Sequence, residues 1–232
     1  INFTLHFRAI NGDLKAYYKD KEFIVYFSII AIVSTIILLT LAYQTNTFSG
    51  LSLRESIFGT IAILTGTGYV LGDYELWPVF LQMILLTLMF IGGMGGSTTG
   101  GMKVIRVLLL VKYAATETRH MLHSRALLPV RIGKRYIKDD VVKNTLGFFL
   151  FFMSAFIIST LLLTAMDLDL VSAIGAAASA MGNIGPALGE FGPTDNYALM
   201  PVPGKWVLSF CMLLGRLEIF TVIVLFSRTF WK

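Results

Sequence analysis

The chain has 232 residues, 56% of them hydrophobic and only 14% charged, with a mean hydropathy of +0.74. That is far from the soluble balance of about 45–50% apolar and about 25% charged, so an ordinary water-soluble domain is excluded. The formal charge of +5 would suit a nucleic-acid binder, but the position of the charges argues against one, and the single cysteine, Cys211, excludes an intramolecular disulfide and speaks against cysteine-based metal binding.

Residues 1–22 carry Arg8, Lys15, Lys19 and Lys21 and are expected to be a cytoplasmic lead-in. Ile1 stands where an initiator Met would be, which suggests a fragment or a processed chain. Phe23 to Tyr43 follows as 21 residues without a charge, long enough to cross about 30 Å of hydrocarbon as a helix. It lies inside the chain with no cleavage pattern after it, so it is not a signal peptide. Ser52-Leu53-Arg54-Glu55 has the form of a capping box and predicts a helix from Leu53 to Leu64. At 12 residues, roughly 18 Å, this helix cannot span. It runs into Thr65-Gly66-Thr67-Gly68-Tyr69.

Trp77-Pro78 starts a returning span, which the run from Gly92 to Gly101 then interrupts. Gly92, Gly93, Gly95, Gly96, Gly100 and Gly101 surround Ser97, Thr98 and Thr99, and each glycine costs a helix about 1 kcal/mol relative to Ala. Gly92, Gly96 and Gly100 also fit a small-residue helix seam at spacing four. A phosphate-binding loop would need Lys directly after the second glycine, where Met102 stands. Lys103 and Arg106 could line the inner mouth, but are expected to snorkel to lipid headgroups.

Residues 112–140 form a basic connection, with Lys112, Arg119, Arg125, Arg131, Lys134, Arg135 and Lys138, and Lys143 just beyond. It suits anionic lipid. His120 and His123 lack a third ligand and are expected to be solvated. Asn144 to Met166 is a second uncharged stretch, of 23 residues. Asp169 can cap a short helix from Leu170 to Met181, which leads into Gly182-Asn183-Ile184-Gly185-Pro186. A last span, Trp206 to Trp231, carries Arg216 near its middle at a cost of about 2.5–3.5 kcal/mol.

The layout repeats. Gly68 and Gly185 are 117 residues apart, and the same shift carries Phe23 to Asp140 and Leu53 to Leu170. Each unit reads as span, short helix, Gly turn and returning span, in the same sense. Lys and Arg flank the spans, whereas Glu55, Asp73, Glu75, Asp167, Asp169, Glu190 and Asp195 surround the Gly turns against only Arg54 and Lys205. Positive flanks stay in the cytoplasm, so the Gly turns open outward beneath an acidic mouth that concentrates cations. Both short helices would end at mid-membrane with their negative ends beside the turns. Glycine at Gly66, Gly68, Gly182 and Gly185 lets successive carbonyls face one side and replace an ion's water; the alternative is that these glycines serve close helix packing. Arg216 aligns with Thr99 and is expected to reach carbonyls or hydroxyls of the Gly-rich loop, the alternative being an ion pair with a distant acid.

The turn Thr65-Gly66-Thr67-Gly68-Tyr69 resembles a potassium-channel signature loop. Together with Met94-Gly95-Gly96-Ser97-Thr98-Thr99-Gly100-Gly101-Met102-Lys103, Asn183-Ile184-Gly185-Pro186 and Gly215-Arg216-Leu217-Glu218-Ile219-Phe220, it is similar to the TrkH-type potassium uptake family, whose members carry four such units. The resemblance covers nearly the whole chain, as the last two units. It implies an all-α transmembrane fold of two parallel span, pore-helix, span repeats (23–111 and 141–232) with reentrant, potassium-channel-like selectivity loops. The filter would comprise Gly66, Thr67, Gly68, Tyr69, Asn183, Ile184, Gly185 and Pro186, with potassium at Thr67, Gly68, Ile184 and Gly185. The Gly-rich loop and Arg216 would form the gate. Asn183 and Pro186 depart from the channel signature.

Potassium is then the transported ion and no organic cofactor is expected. Expected partners are the two remaining pore units of the parent polypeptide, a second copy in a homodimer, a cytoplasmic nucleotide-binding subunit of the TrkA type, and membrane lipid; nucleic acid is not expected. The expected location is the bacterial inner membrane, as a multi-pass protein. A sodium- or proton-coupled symporter is the alternative and would need a buried carboxylate on the pathway, for which Glu218 is the candidate. No nucleophile and base pair or metal cluster points to an enzyme.

Overall fold

The computed structural model describes residues 1–45, 49–122, 129–133, 135–217, 219–225 and 230–231. Two short helices, α1 (Phe3–Ile10) and α2 (Lys15–Lys19), lead into α3 (Lys21–Thr45). The first unit continues with α4 (Gly50–Leu64), α5 (Val79–Ile91) and α6 (Val104–Leu122). A two-stranded hairpin, β1 (Arg131–Ile132) and β2 (Arg135–Tyr136), pairs Arg131 with Tyr136. The second unit has α7 (Asp139–Thr164), α8 (Leu170–Gly182), α9 (Val202–Leu217) and α10 (Ile219–Leu225).

Helices α3 and α7 are long and apolar enough to cross a membrane, and only 22% of the most apolar stretch of each is buried. Ile32 and Leu39 on α3, and Leu150, Ile157 and Leu161 on α7, are exposed. A soluble core helix would hide such residues; helices apolar on every side sit in lipid or between other spans.

The short helices are set by their caps. Helix α4 begins at Gly50, three residues earlier than expected, because Ser49 takes the N-cap position and its Oγ accepts from the Ser52 amide at 3.1 Å. The Ser52–Glu55 box does not form, since Ser52 is already inside the helix and buried. At 15 residues, about 22 Å long, α4 is still too short to span. Asp169 does cap α8, accepting from Val171 N at 3.0 Å and Ser172 N at 3.1 Å. Hydrogen bonding, chiefly from the Ser172 hydroxyl, holds the Asp169 carboxyl below its ordinary value of 3.8. A depressed value means that the cap stabilises fully above that pH and is lost as pH falls through the folded value. Asp169→Ala is expected to cost about 1 kcal/mol, read as a lower Tm at neutral pH, with the gap from wild type narrowing in acid.

Each unit has its own core. Ile37, Leu64, Leu81, Leu85 and Met89 are buried in the first, and Leu163, Ala173, Ala177, Met181 and Leu208 in the second. Ala178, Ile184 and Leu188 of the second unit join the first cluster, and Phe90 meets Phe156 edge-on at 4.8 Å. The two units are thereby locked side by side.

The returning segments differ between units. Helix α5 ends at Gly92, with φ +70, and helix resumes at Val104, so 92, 96 and 100 form no helical seam. Helix α6 runs through the 111/112 boundary into the basic stretch. Helix α9 begins at Val202, four residues before the expected Trp206, and carries no break at the position equivalent to Gly92. The difference follows from composition, six glycines in ten residues against the single Gly215 in the equivalent stretch 209–218.

Candidate functional site

At the end of α4 the backbone turns back on its own helix. Amides of Thr65, Gly66, Thr67 and Gly68 donate to carbonyls of Ile61, Ile63, Ala62 and Ala62 at 2.9–3.3 Å. Gly66 and Gly68 take φ of +65° and +69°. With its amides spent on the helix end and alternate residues left-handed, such a turn directs carbonyls away from the helix. The second turn is built alike: Asn183 N donates to Ala180 O, Ile184 N to Ser179 O, and Gly185 N to Ser179 Oγ at 3.1 Å.

Asn183, the departure from the channel signature, stands 117 residues after Gly66 and takes the same left-handed form, φ 54° and ψ 46°. Asparagine tolerates this region better than other side-chain-bearing residues. Its Nδ2 donates to Met212 O at 3.1 Å, which turns the side chain toward α9.

The two turns touch. A Cβ on Gly66 would lie 3.5 Å from Gly182 O and 3.6 Å from Asn183 O. A Cβ on Gly68 would overlap the Ile184 carbonyl oxygen and lie 3.0 Å from Pro186 Cδ. Thr67, Tyr69 and Gly185 are exposed beside this contact. Two tyrosines brace the second turn from outside: Tyr74 Oη donates to Ala187 O at 2.8 Å and Tyr197 Oη to Gly185 O at 2.9 Å. Burial pushes Tyr197 up to about 12 and Tyr74 higher still, so both hydroxyls remain donors at neutral pH. Above them, burial raises Glu75, and the carboxylates of Asp73 and Asp195 raise it further, so acids of both units converge.

Residues 92–103 fold directly beneath. Met102 N returns to Phe90 O at 3.2 Å and Val104 N to Gly93 O at 2.8 Å, closing the loop on itself. Gly96 and Gly101 have φ of +74° and +76°. Gly100 faces the second Gly turn, where a Cβ would meet Gly182 O at 2.7 Å. Ser97 and Thr99 hydroxyls pair at 2.8 Å. Arg216 on α9 extends across the unit boundary, and its Nη1 donates to the carbonyl of Thr98.

Other expectations meet a different structure. Arg106 does not snorkel: its guanidinium lies 4.0 Å over the Phe148 ring of α7. His120 is exposed, as expected, while His123 and Glu218 lie outside the described residues. Glu22, Tyr74, Tyr197 and Ser179 were not singled out in the sequence. Glu22 is 7% exposed, and its Oε1 accepts from Gly95 N at 2.6 Å and Ile105 N at 3.1 Å. One signal could have found it: Lys103, just before α6, has no oxygen with which to cap that helix.

The TrkH family, described as cation transport protein, matches residues 23–232. The chain is 39% identical over 239 residues to the Trk system potassium uptake protein TrkH of Vibrio parahaemolyticus, covering 100% of this chain and 48% of that protein. It is 36% identical over 233 residues to TrkH of Salmonella typhimurium, with the same coverage, and 33% identical over 232 residues to TrkI of Halomonas elongata, covering 99% and 47%. The crystal structure of the potassium transporter TrkH from Vibrio parahaemolyticus superposes with a TM-score of 0.91 at 37% identity, over 100% of this chain and 50% of that one. The chain thus spans about half the length of the relatives it matches. Matched along nearly all its length, by a fold that joins two Gly turns above a Gly-rich loop, the chain belongs to the TrkH family of cation transport proteins.

Proposed function

We propose that this chain forms two of the four pore units of a bacterial inner-membrane potassium uptake protein. One observation carries the reading: two Gly turns, each at the C-terminal end of a helix too short to span, lie in backbone contact with each other. Helix C-terminal ends favour a cation there. A potassium ion would enter past Asp73, Glu75 and Asp195, exchange water for carbonyls at Thr67, Gly68, Ile184 and Gly185, and then meet the loop 92–103 with Arg216 as the gate. Non-helical backbone at such depth needs protein or a watery cavity around it. The names of the relatives, Trk system potassium uptake proteins, support potassium as the ion carried.

Two turns enclose an ion on only part of its circumference. Leu53, Ile57, Phe58 and Ile61 form an exposed apolar face on α4 beside Thr67 and Tyr69, and we assign that face to a neighbouring pore unit of the parent polypeptide. A homodimer of the parent, a TrkA-type subunit and anionic lipid at the basic segment complete the proposed assembly.

The test is potassium and sodium flux into liposomes holding the full-length parent. Potassium-preferring flux down its own gradient supports the reading. Flux that requires an opposing sodium or proton gradient would favour the coupled transporter, and no ion flux would end the permeation reading. Tyr197→Phe removes the hydrogen bond that holds the Gly185 carbonyl, worth about 1 kcal/mol. The potassium preference is expected to fall several-fold with protein yield unchanged, as measured by reversal potentials.

A further inference from the structure

The Gly-rich loop is held from more than one side, and the least expected hold comes from Glu22. This residue opens α3, yet its side chain is buried against residues 73 and 83 positions later in the chain. Its carboxylate oxygen accepts the amide of Gly95, inside the loop, and the amide of Ile105, in the first turn of α6. Lys103 precedes that helix at φ +69, and its carbonyl accepts from Arg106 N and Val107 N. Its side chain has no oxygen for the Ile105 amide, so Glu22 caps that amide of α6 from another element. An anion at a helix N-terminus is also favoured by the helix dipole.

A buried carboxylate is costly unless its oxygens are satisfied. Here one oxygen, Oε1, takes backbone amides from both sides of the same loop, so the ion ties Gly95 to the start of α6. Three residues further on, Arg216 draws on the Thr98 carbonyl from the opposite unit. Asn2 and Phe3 of the lead-in also touch the loop, Phe3 N lying 3.5 Å from Gly96 O. The short segment 95–98 is therefore clamped between an anion on an amide and a cation on a carbonyl. It cannot leave its position without releasing at least one of them.

We infer that Glu22 is a positioning residue of the gate, whose carboxylate latches the Gly-rich loop in the closed position by its bond to the Gly95 amide. The inference rests on the reading of that loop as a gate. The latch works as a hydrogen-bond acceptor, so an amide oxygen at the same reach will serve.

The experiment is potassium flux into liposomes of the full-length parent, at matched protein amounts, for Glu22→Ala, Glu22→Gln and Arg216→Ala. Glu22→Ala is expected to raise flux about tenfold, on the scale of one lost charge-assisted hydrogen bond, and Glu22→Gln to return it to within about twofold of wild type. A purely structural cap would instead lower yield and Tm without raising flux. Should the alanine protein not accumulate, Glu22→Met keeps the volume without the acceptor and carries the same expectation. Flux unchanged or lowered in the acceptor-free variant while Arg216→Ala raises it overturns the latch and leaves the gate standing. Flux unmoved by any of the three overturns the gate, and the latch with it.

Discussion

Gly68→Ser is expected to remove most of the potassium preference of the full-length parent, by about tenfold or more, equivalent to about 1.4 kcal/mol. Two effects combine at this position. Gly68 has φ +69, a conformation that costs a side-chain-bearing residue about 1–2 kcal/mol. Its new Cβ would also overlap the Ile184 carbonyl oxygen, with Pro186 Cδ at 3.0 Å. The obstructing atom belongs to the backbone of the second turn, so relief of the clash moves the other half of the proposed filter. Gly50→Ala is the control, because Gly50 starts α4 with nothing within 4 Å of a Cβ. Reversal potentials under potassium and sodium gradients read the result: an unchanged ratio in Gly68→Ser would remove these carbonyls from selectivity.

Arg216→Ala should raise unstimulated potassium flux by about tenfold, again about 1.4 kcal/mol on the barrier. The wild-type guanidinium places a full positive charge in the last returning helix and bonds to Thr98 of the loop. Its loss removes both an electrostatic barrier to cations and a tether between α9 and the Gly-rich loop. Arg216→Lys separates the two effects, since Lys keeps the charge without the planar fork, and its flux should lie between those of wild type and alanine. Flux in Arg216→Ala equal to or below wild type, at the same protein amount, would refute the gate role.

The residues that were legible in the sequence are those whose constraint is local. Uncharged stretches at 23–43 and 144–166 require long apolar helices because a span needs length and low polarity, and α3 and α7 supply them. Gly66, Gly68 and Gly185 sit where φ is positive, whereas Gly182 ends α8 within the helix and Asn183 takes the left-handed place expected of it, and the glycines between 92 and 101 end a helix wherever they fall. Asp169 could be read as a cap because the acceptor and the amides it serves lie within three residues. Ser49 against Ser52 was not decidable by the same rule. Both are good caps, and the choice depended on how far α4 extends toward the mouth.

The amino-acid sequence by itself determined the membrane class, the twofold repeat of 117 residues, and the places where the backbone must turn or break, because these follow from run length, charge position and glycine alone. Tertiary structure alone decided which atoms meet at those breaks. The Ile184 carbonyl against Gly68, Tyr74 on Ala187, Glu22 on Gly95 and Arg106 over Phe148 join residues 42 to 116 positions apart. No local pattern encodes such pairs: each meets only once packed helices have brought both residues together, and the buried polar groups among them are then matched to whatever partner packing leaves in reach.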